Sequence, residues 1–174
     1  MKQYSYNRWL LSLAILIGCC FTQKASAGVG EQFFTVSGGF LFPQTLNAEF
    51  SFEKELRHGN ALELTGEIGN KWQKDPVCGK VCSESFWKGY YWGGGIAYKP
   101  VLKKYKNSAL RLKTGLHCGA YTKKWCYGGQ ISFEYVFFLP SGLQFSITQK
   151  NQININHGDT FRNGILLGVR IPIN

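Results

Sequence analysis

The sequence is poor in the marks of helical, catalytic and nucleotide-binding domains. It has no long stretch of 3.6-residue apolar periodicity, which argues against a helical bundle. Its most apolar run, Trp9 to Phe21, is broken by Ser12 and falls short of the about 20 residues that a spanning helix needs. There are only 3 histidines, His58, His117 and His157, and no serine sits in a recognisable nucleophile motif. His117, beside the carboxylates described below, is the one histidine placed to serve a lipid hydrolase, but a lone strand histidine more often fills a polar role. No phosphate-cradling glycine loop is present, since Gly93, Gly94 and Gly95 lie inside an aromatic stretch and read as packing space. Acidic residues are also scarce, 10 against 20 Lys and Arg. The basic excess forms neither a helix nor a long run, and the cluster Lys103, Lys104 and Lys106 is too small to imply nucleic-acid contact.

The N-terminus fits an export signal. Lys2 and Arg8 form a basic head, the apolar run follows, and Ala25-Ser26-Ala27 offers a small-x-small cleavage site. Cleavage there removes residues 1–27, leaves one domain over residues 28–174, and lowers the net charge from +10 to +7. The alternative is lipoprotein processing at Leu16-Ile17-Gly18-Cys19, which would place a lipid on Cys19.

Four cysteines then remain, Cys78, Cys82, Cys118 and Cys126, and an even count in an exported chain reads as disulfides. Cys118 and Cys126 flank one expected hairpin, so the favoured pairing is Cys118 with Cys126 and Cys78 with Cys82, with loop-to-hairpin pairing as the alternative. A zinc site built from these thiols and His117 needs free thiolates, which an oxidising compartment disfavours; no metal or cofactor is expected.

What the chain has in abundance is period-2 alternation, with 21 glycines and an aromatic content of 16%. Eight strands are expected. Residues 33–42 form the first. In the second, Ala48, Phe50 and Phe52 oppose Glu49, Ser51 and Glu53. In the third, Leu62, Leu64 and Ile68 oppose Glu63, Thr65 and Glu67. The fourth spans 86–99. The fifth sets Leu110, Leu112 and Leu116 against Arg111, Lys113 and His117. The sixth sets Ile131, Phe133, Tyr135 and Phe137 against Gln130, Ser132 and Glu134. The seventh runs from Leu143, and the last carries Ile165, Leu167, Val169, Ile171 and Ile173 on one face. Connections are expected at 57–60, 71–85, 100–107, 121–126, 140–142 and 151–160, with the two longest on the side away from the termini.

One face of this pattern is apolar, and the other carries Glu49, Glu53, Glu63, Glu67, Arg111, Lys113, Glu134 and Arg170. Acids come mainly from early strands and bases from later ones, so closure into a barrel would bring them together in one lumen. Unpaired, each buried charge would cost several kcal/mol. Gly93, Gly95, Gly115, Gly119 and Gly168 on the same face leave room for the long side chains. The expected fold is therefore all-β: an eight-stranded antiparallel up-and-down barrel of the outer-membrane type, with lipid around its apolar face. A soluble periplasmic barrel or sandwich with a wet charged face is the alternative.

Over residues 108–174 the chain resembles a known family. Tyr127-Gly128-Gly129, Glu134-Tyr135, Leu139 before a tight turn, and an ending with Phe161, Gly164, Gly168, Ile171 and Ile173-Asn174 resemble the TraO family of Bacteroidetes conjugative transposons. The cysteine-bearing insertion at 71–85 and the Cys118/Cys126 pair depart from that pattern. The resemblance implies a non-enzymatic envelope component of a mating apparatus, with outer-membrane lipid and other envelope proteins of a conjugation system as partners, and neither direct nucleic-acid contact nor a small-molecule substrate. The alternative function is a general surface protein whose disulfide-braced loops bind a ligand or a host surface.

Overall fold

Alternation of apolar and polar side chains suits an extended strand with two unlike faces. The computed structural model describes residues 30–72, 89–121, 124–155 and 159–173. Among them are nine strands: β1 (Gln32–Phe42), β2 (Thr45–Glu55), β3 (Ala61–Lys71), β4 (Tyr90–Lys99), β5 (Val101–Lys104), β6 (Ser108–Tyr121), β7 (Lys124–Phe138), β8 (Gln144–Ile155) and β9 (Phe161–Ile173). Chain neighbours other than β4 and β5 pair antiparallel, and β4 pairs instead with β6. The first and last strands meet as well, from Gln32 opposite Ile173 to Phe42 opposite Asn163. The sheet closes on itself as an eight-stranded up-and-down barrel of the outer-membrane type. Closure removes both sheet edges, so the wall strands satisfy their backbone groups on both sides.

The short β5 is not a ninth stave. Beyond Pro100 it continues β4 along the same partner, β6, with a register break between Val101 and Lys103. Proline has no N–H to give a ladder, so it belongs at such an interruption; its carbonyl still accepts from Leu112 N at 3.0 Å.

Connections at the end that holds the termini are tight. Between β2 and β3 the chain turns through a 3₁₀ segment at Arg57–Gly59, where His58 and Gly59 have φ of 66° and 77°. Between β7 and β8, Gly142 takes φ 83° and its N–H donates to Leu139 O at 3.0 Å. A side chain is strained in that region, which explains the glycine. The two longest expected connections do fall at the opposite end, but they share it with the two-residue link Pro43-Gln44 between β1 and β2.

Three expected loops are shorter than their polar sequences suggest. Residues 101–104 form β5, most of 121–126 belongs to β6 and β7, and β8 continues to Ile155. In each case the neighbouring strand supplies a ladder: Tyr121 lies opposite Lys124, and Ile155 opposite Tyr127. Pairing partners override the polar composition of a single segment.

The register corrects the expected disulfide. Cys118 lies opposite Tyr127, and Cys126 lies opposite Gly119. The two cysteines are thus one step out of phase, and a one-residue offset puts side chains on opposite faces of a sheet. Cys118 is exposed on the outer wall, Cys126 is buried on the lumen side, and both are free thiols. The segment 1–27, with Cys19, and the pair Cys78 and Cys82 lie outside the described residues.

This register makes a direct prediction. Peptide mapping of unreduced protein, alkylated under denaturing conditions, is expected to yield no Cys118–Cys126 linked peptide. Such a peptide would require β6 and β7 to slip by one residue, turning one strand's charged face outward.

Candidate functional site

Strand alternation sorts the side chains into two populations. Outward-pointing apolar residues stay uncovered: Phe40 is 62% exposed, Leu116 68% and Leu167 62%. Inward-pointing charged residues are sealed: Glu53 and Arg170 are both 0% exposed, and Lys99 and Lys150 are 1%. This is the reverse of a water-soluble domain, where the apolar face is the buried one.

The early strands alone would be unstable with such a face. Glu49 lies directly opposite Glu67, and Glu53 directly opposite Glu63, across the β2–β3 ladder. Like charges so placed repel. Lysines from other strands bridge each pair. Lys150 of β8 contacts Glu49 at 2.5 Å and Glu67 at 2.6 Å. Lys99 of β4 contacts Glu53 at 2.6 Å and Glu63 at 2.8 Å. Lys113 of β6 links the two rungs, reaching Glu49 and Glu63 at 2.5 Å each.

Arginines complete the lower half. Glu53 also accepts from Arg111 Nη1 at 2.5 Å and from Arg170 Nη2. Arg111 Nη2 donates to Glu55 at 2.6 Å, and Arg170 Nη1 donates to Gln144. The Arg170 guanidinium lies over the Phe33 ring, 4.4 Å from its centroid, so β1 contributes an aromatic face in place of a charge. Glu134 joins through Lys99 at 2.6 Å. A continuous alternation of charge therefore runs from Glu67 through Lys150, Glu49, Lys113, Glu63 and Lys99 to Glu53. Desolvation of each ion is costly, and contact with opposite charge on several sides is what makes burial tolerable.

Glycines make the space. A Cβ on Gly168 would lie 2.7 Å from Ser146 Oγ and 2.9 Å from Ser37 Cβ, and one on Gly95 would lie 3.1 Å from Thr65 Oγ1 and 3.2 Å from His117 Cβ. The carboxylates of Glu53, Glu63 and Glu134 gather within 4.8 Å of one another, the spacing of a metal cage. The Lys99 ammonium contacts all three and supplies the positive charge there.

At the far end the lumen is polar but less charged. Asn47 Nδ2 donates to the Tyr91 hydroxyl, and the Arg162 guanidinium lies 4.3 Å from the centroid of the Tyr91 ring. His117 Nε2 bonds Asn154 Oδ1 at 2.7 Å, and Lys71 pairs with Asp159 at 2.7 Å. The described partner of His117 is an amide, which orients the ring without the charge that a carboxylate gives a catalytic histidine.

All eight residues read from the sequence as a lumen set, Glu49, Glu53, Glu63, Glu67, Arg111, Lys113, Glu134 and Arg170, are buried in the lumen. Sequence reasoning missed Lys99, Lys150, Glu55 and Gln152, whose Nε2 donates to the Glu67 carboxylate at 3.2 Å. Lys99 was hidden by the adjoining Pro100, although it continues the inward series Tyr91, Gly93, Gly95, Ala97. Lys150 was hidden because Gln149 and Asn151 interrupt the apolar face of β8, although Ile153 and Ile155 resume it.

No protein-family model matches this chain, and no curated protein matches it. Among solved structures it is similar to the crystal structure of a major outer membrane protein from Thermus thermophilus. The TM-score is 0.50 with 9% identity over 84% of this chain and 100% of that chain. At that identity the likeness speaks to fold alone, and it agrees with a closed barrel of the outer-membrane type.

The bridging lysines can be tested by subtraction. Lys99→Met would leave three carboxylates facing one another and is expected to destabilise the barrel by about 3–5 kcal/mol, read as a lower urea midpoint. Adding Glu63→Gln should recover part of that loss. Independent, additive effects would show that the two groups do not interact.

Proposed function

We propose that this protein is a non-enzymatic outer-membrane β-barrel, spanning the bilayer with its terminal end in the periplasm. The observation that carries this reading is the inversion of faces: ionised side chains sealed inside, and apolar side chains uncovered around the whole wall. Only a surrounding hydrocarbon gives such a wall a favourable environment. Aromatic residues stand towards both ends of the strands, as interfacial anchors would. Trp92 and Trp125 meet edge to face at 5.9 Å near one end, and Tyr135 and Phe137 at 4.7 Å near the other. The interior is occupied by the charge network, which suits an anchor or scaffold better than a channel.

Within this reading we assign the narrower role of an envelope component in a conjugative mating apparatus. That role rests on the resemblance of residues 108–174 to the TraO family. The alternative of a surface protein with disulfide-braced loops loses the Cys118–Cys126 brace, because those thiols face opposite sides of the wall.

Membrane fractionation, followed by electrophoresis of heated and unheated samples, is expected to place the protein in the outer membrane with a mobility that shifts on heating. A soluble periplasmic protein without a shift would overturn the membrane reading. Deleting the gene from a transferable element is expected to reduce transfer frequency; unchanged transfer would remove the conjugative role and leave the barrel intact.

A further inference from the structure

The β5–β6 hairpin carries charge that the lumen does not use. The strand β3 starts at Ala61, opposite Lys99, so β5 runs past the ladder that β3 gives β4. On that side Val101 N donates to Asn60 Oδ1 at 3.1 Å, and β5 otherwise pairs with β6. Its tip reads Lys103-Lys104-Tyr105-Lys106, and all four residues are exposed. Among the described residues no ion pair reaches these three lysines, and Glu55, the acid of the adjacent turn, is engaged by Arg111. The charge has a defined relation to the wall. Lys103 pairs with Leu110, Leu110 with Tyr135, and Tyr135 with Ile147, so the lysine shares a row with outward-facing apolar and aromatic side chains. Its ammonium lies 5.1 Å from the centroid of the Tyr105 ring, and Leu102 and Tyr105 are half-exposed beside it.

We infer that this hairpin is a docking surface for anionic phospholipid of the periplasmic leaflet. Lys103 and Lys106 hold the phosphate-bearing headgroup, while Leu102, Leu110 and Tyr135 meet the acyl chains; Lys104, opposite the buried Ala109, adds its charge from the other face of the hairpin. The inference rests on the membrane-spanning reading above and on its placement of the terminal end in the periplasm. Charge complementarity selects the occupant. A zwitterionic headgroup offers no net charge to the exposed lysines of this tip, whereas an anionic one gains from each lysine held at the interface. The row of apolar side chains favours a lipid over an acidic peptide, which has no use for them. Lysines also discourage edge-to-edge pairing of exposed strands, and that role alone predicts no lipid preference.

The test uses the mature chain folded into vesicles of phosphatidylethanolamine alone and of a phosphatidylethanolamine–phosphatidylglycerol mixture, then mildly solubilised for native mass spectrometry. The expected result is retention of phosphatidylglycerol over phosphatidylethanolamine by about tenfold. In the variant Lys103→Gln/Lys104→Gln/Lys106→Gln the preference should nearly vanish, and in the wild type it should weaken with added salt. Equal retention of both lipids by the wild type, or an undiminished preference in the variant, would overturn the inference. So would lysine-dependent retention of lipopolysaccharide in place of phosphatidylglycerol, which puts the hairpin at the opposite leaflet. Lysine-dependent capture of a polyglutamate peptide without a lipid preference would overturn it in favour of an acidic protein partner. Heated and unheated gels of the same vesicles separate the two levels. A barrel that shifts on heating but shows no lipid preference removes this inference alone, and one that never shifts removes the membrane reading with it.

Discussion

Charge held away from water must be met by opposite charge, and in this barrel that requirement governs everything inside the wall. Six carboxylates and five cations share one ion-pair network in the lumen. The two rungs of opposed glutamates on β2 and β3 could not persist as an isolated ladder. They are tolerated because β4, β6 and β8 each deliver a lysine from another part of the wall. Strand order, register and closure are thus tied to one electrostatic condition. A one-residue slip of any of these strands would send its charged series outward and leave its partners uncompensated.

The same condition shapes what surrounds the charges. Long side chains need volume, and glycines on the inner face provide it. Gly168 admits Ser146 and Ser37 close to its backbone, and Gly95 admits Thr65 and His117. Outside, the wall is left to leucine, isoleucine and phenylalanine. The molecule has two environments with one sheet between them, and each strand is readable as the seam of the two.

That seam is why much of the architecture was legible in the sequence. Glu49, Glu53, Glu63 and Glu67 alternate with apolar neighbours so regularly that both the strands and their inward face follow from period 2. Arg111, Lys113, Glu134 and Arg170 follow in the same way. Legibility failed where the alternation was interrupted by one residue of the wrong kind. Pro100 concealed Lys99, and Gln149 and Asn151 concealed Lys150, the two lysines that bridge the glutamate rungs. The disulfide expectation failed for a different reason. Cys118 and Cys126 flank a hairpin, and the spacing alone does not say whether they are in phase; the register does, and it places them on opposite faces. Which lysine meets which glutamate is likewise a property of closure, because partners such as Glu53 and Arg170 are 117 residues apart.

The glutamate rungs also constrain how the chain can reach its final state. A β2–β3 hairpin formed first has five carboxylates on one face (Glu49, Glu53, Glu55, Glu63 and Glu67) and none of the three bridging lysines, so it has no low-energy place in hydrocarbon. Its neutralising partners arrive from β4, β6 and β8, the last of them about a hundred positions downstream (Glu49 and Lys150 are 101 apart). On the membrane-spanning reading proposed above, strand-by-strand entry is therefore unfavourable, and crossing the bilayer is coupled to circularisation of the sheet. Contacts of such sequence separation make for slow assembly. During that interval the early hairpin has to wait in water, at the interface, or in the hands of other proteins.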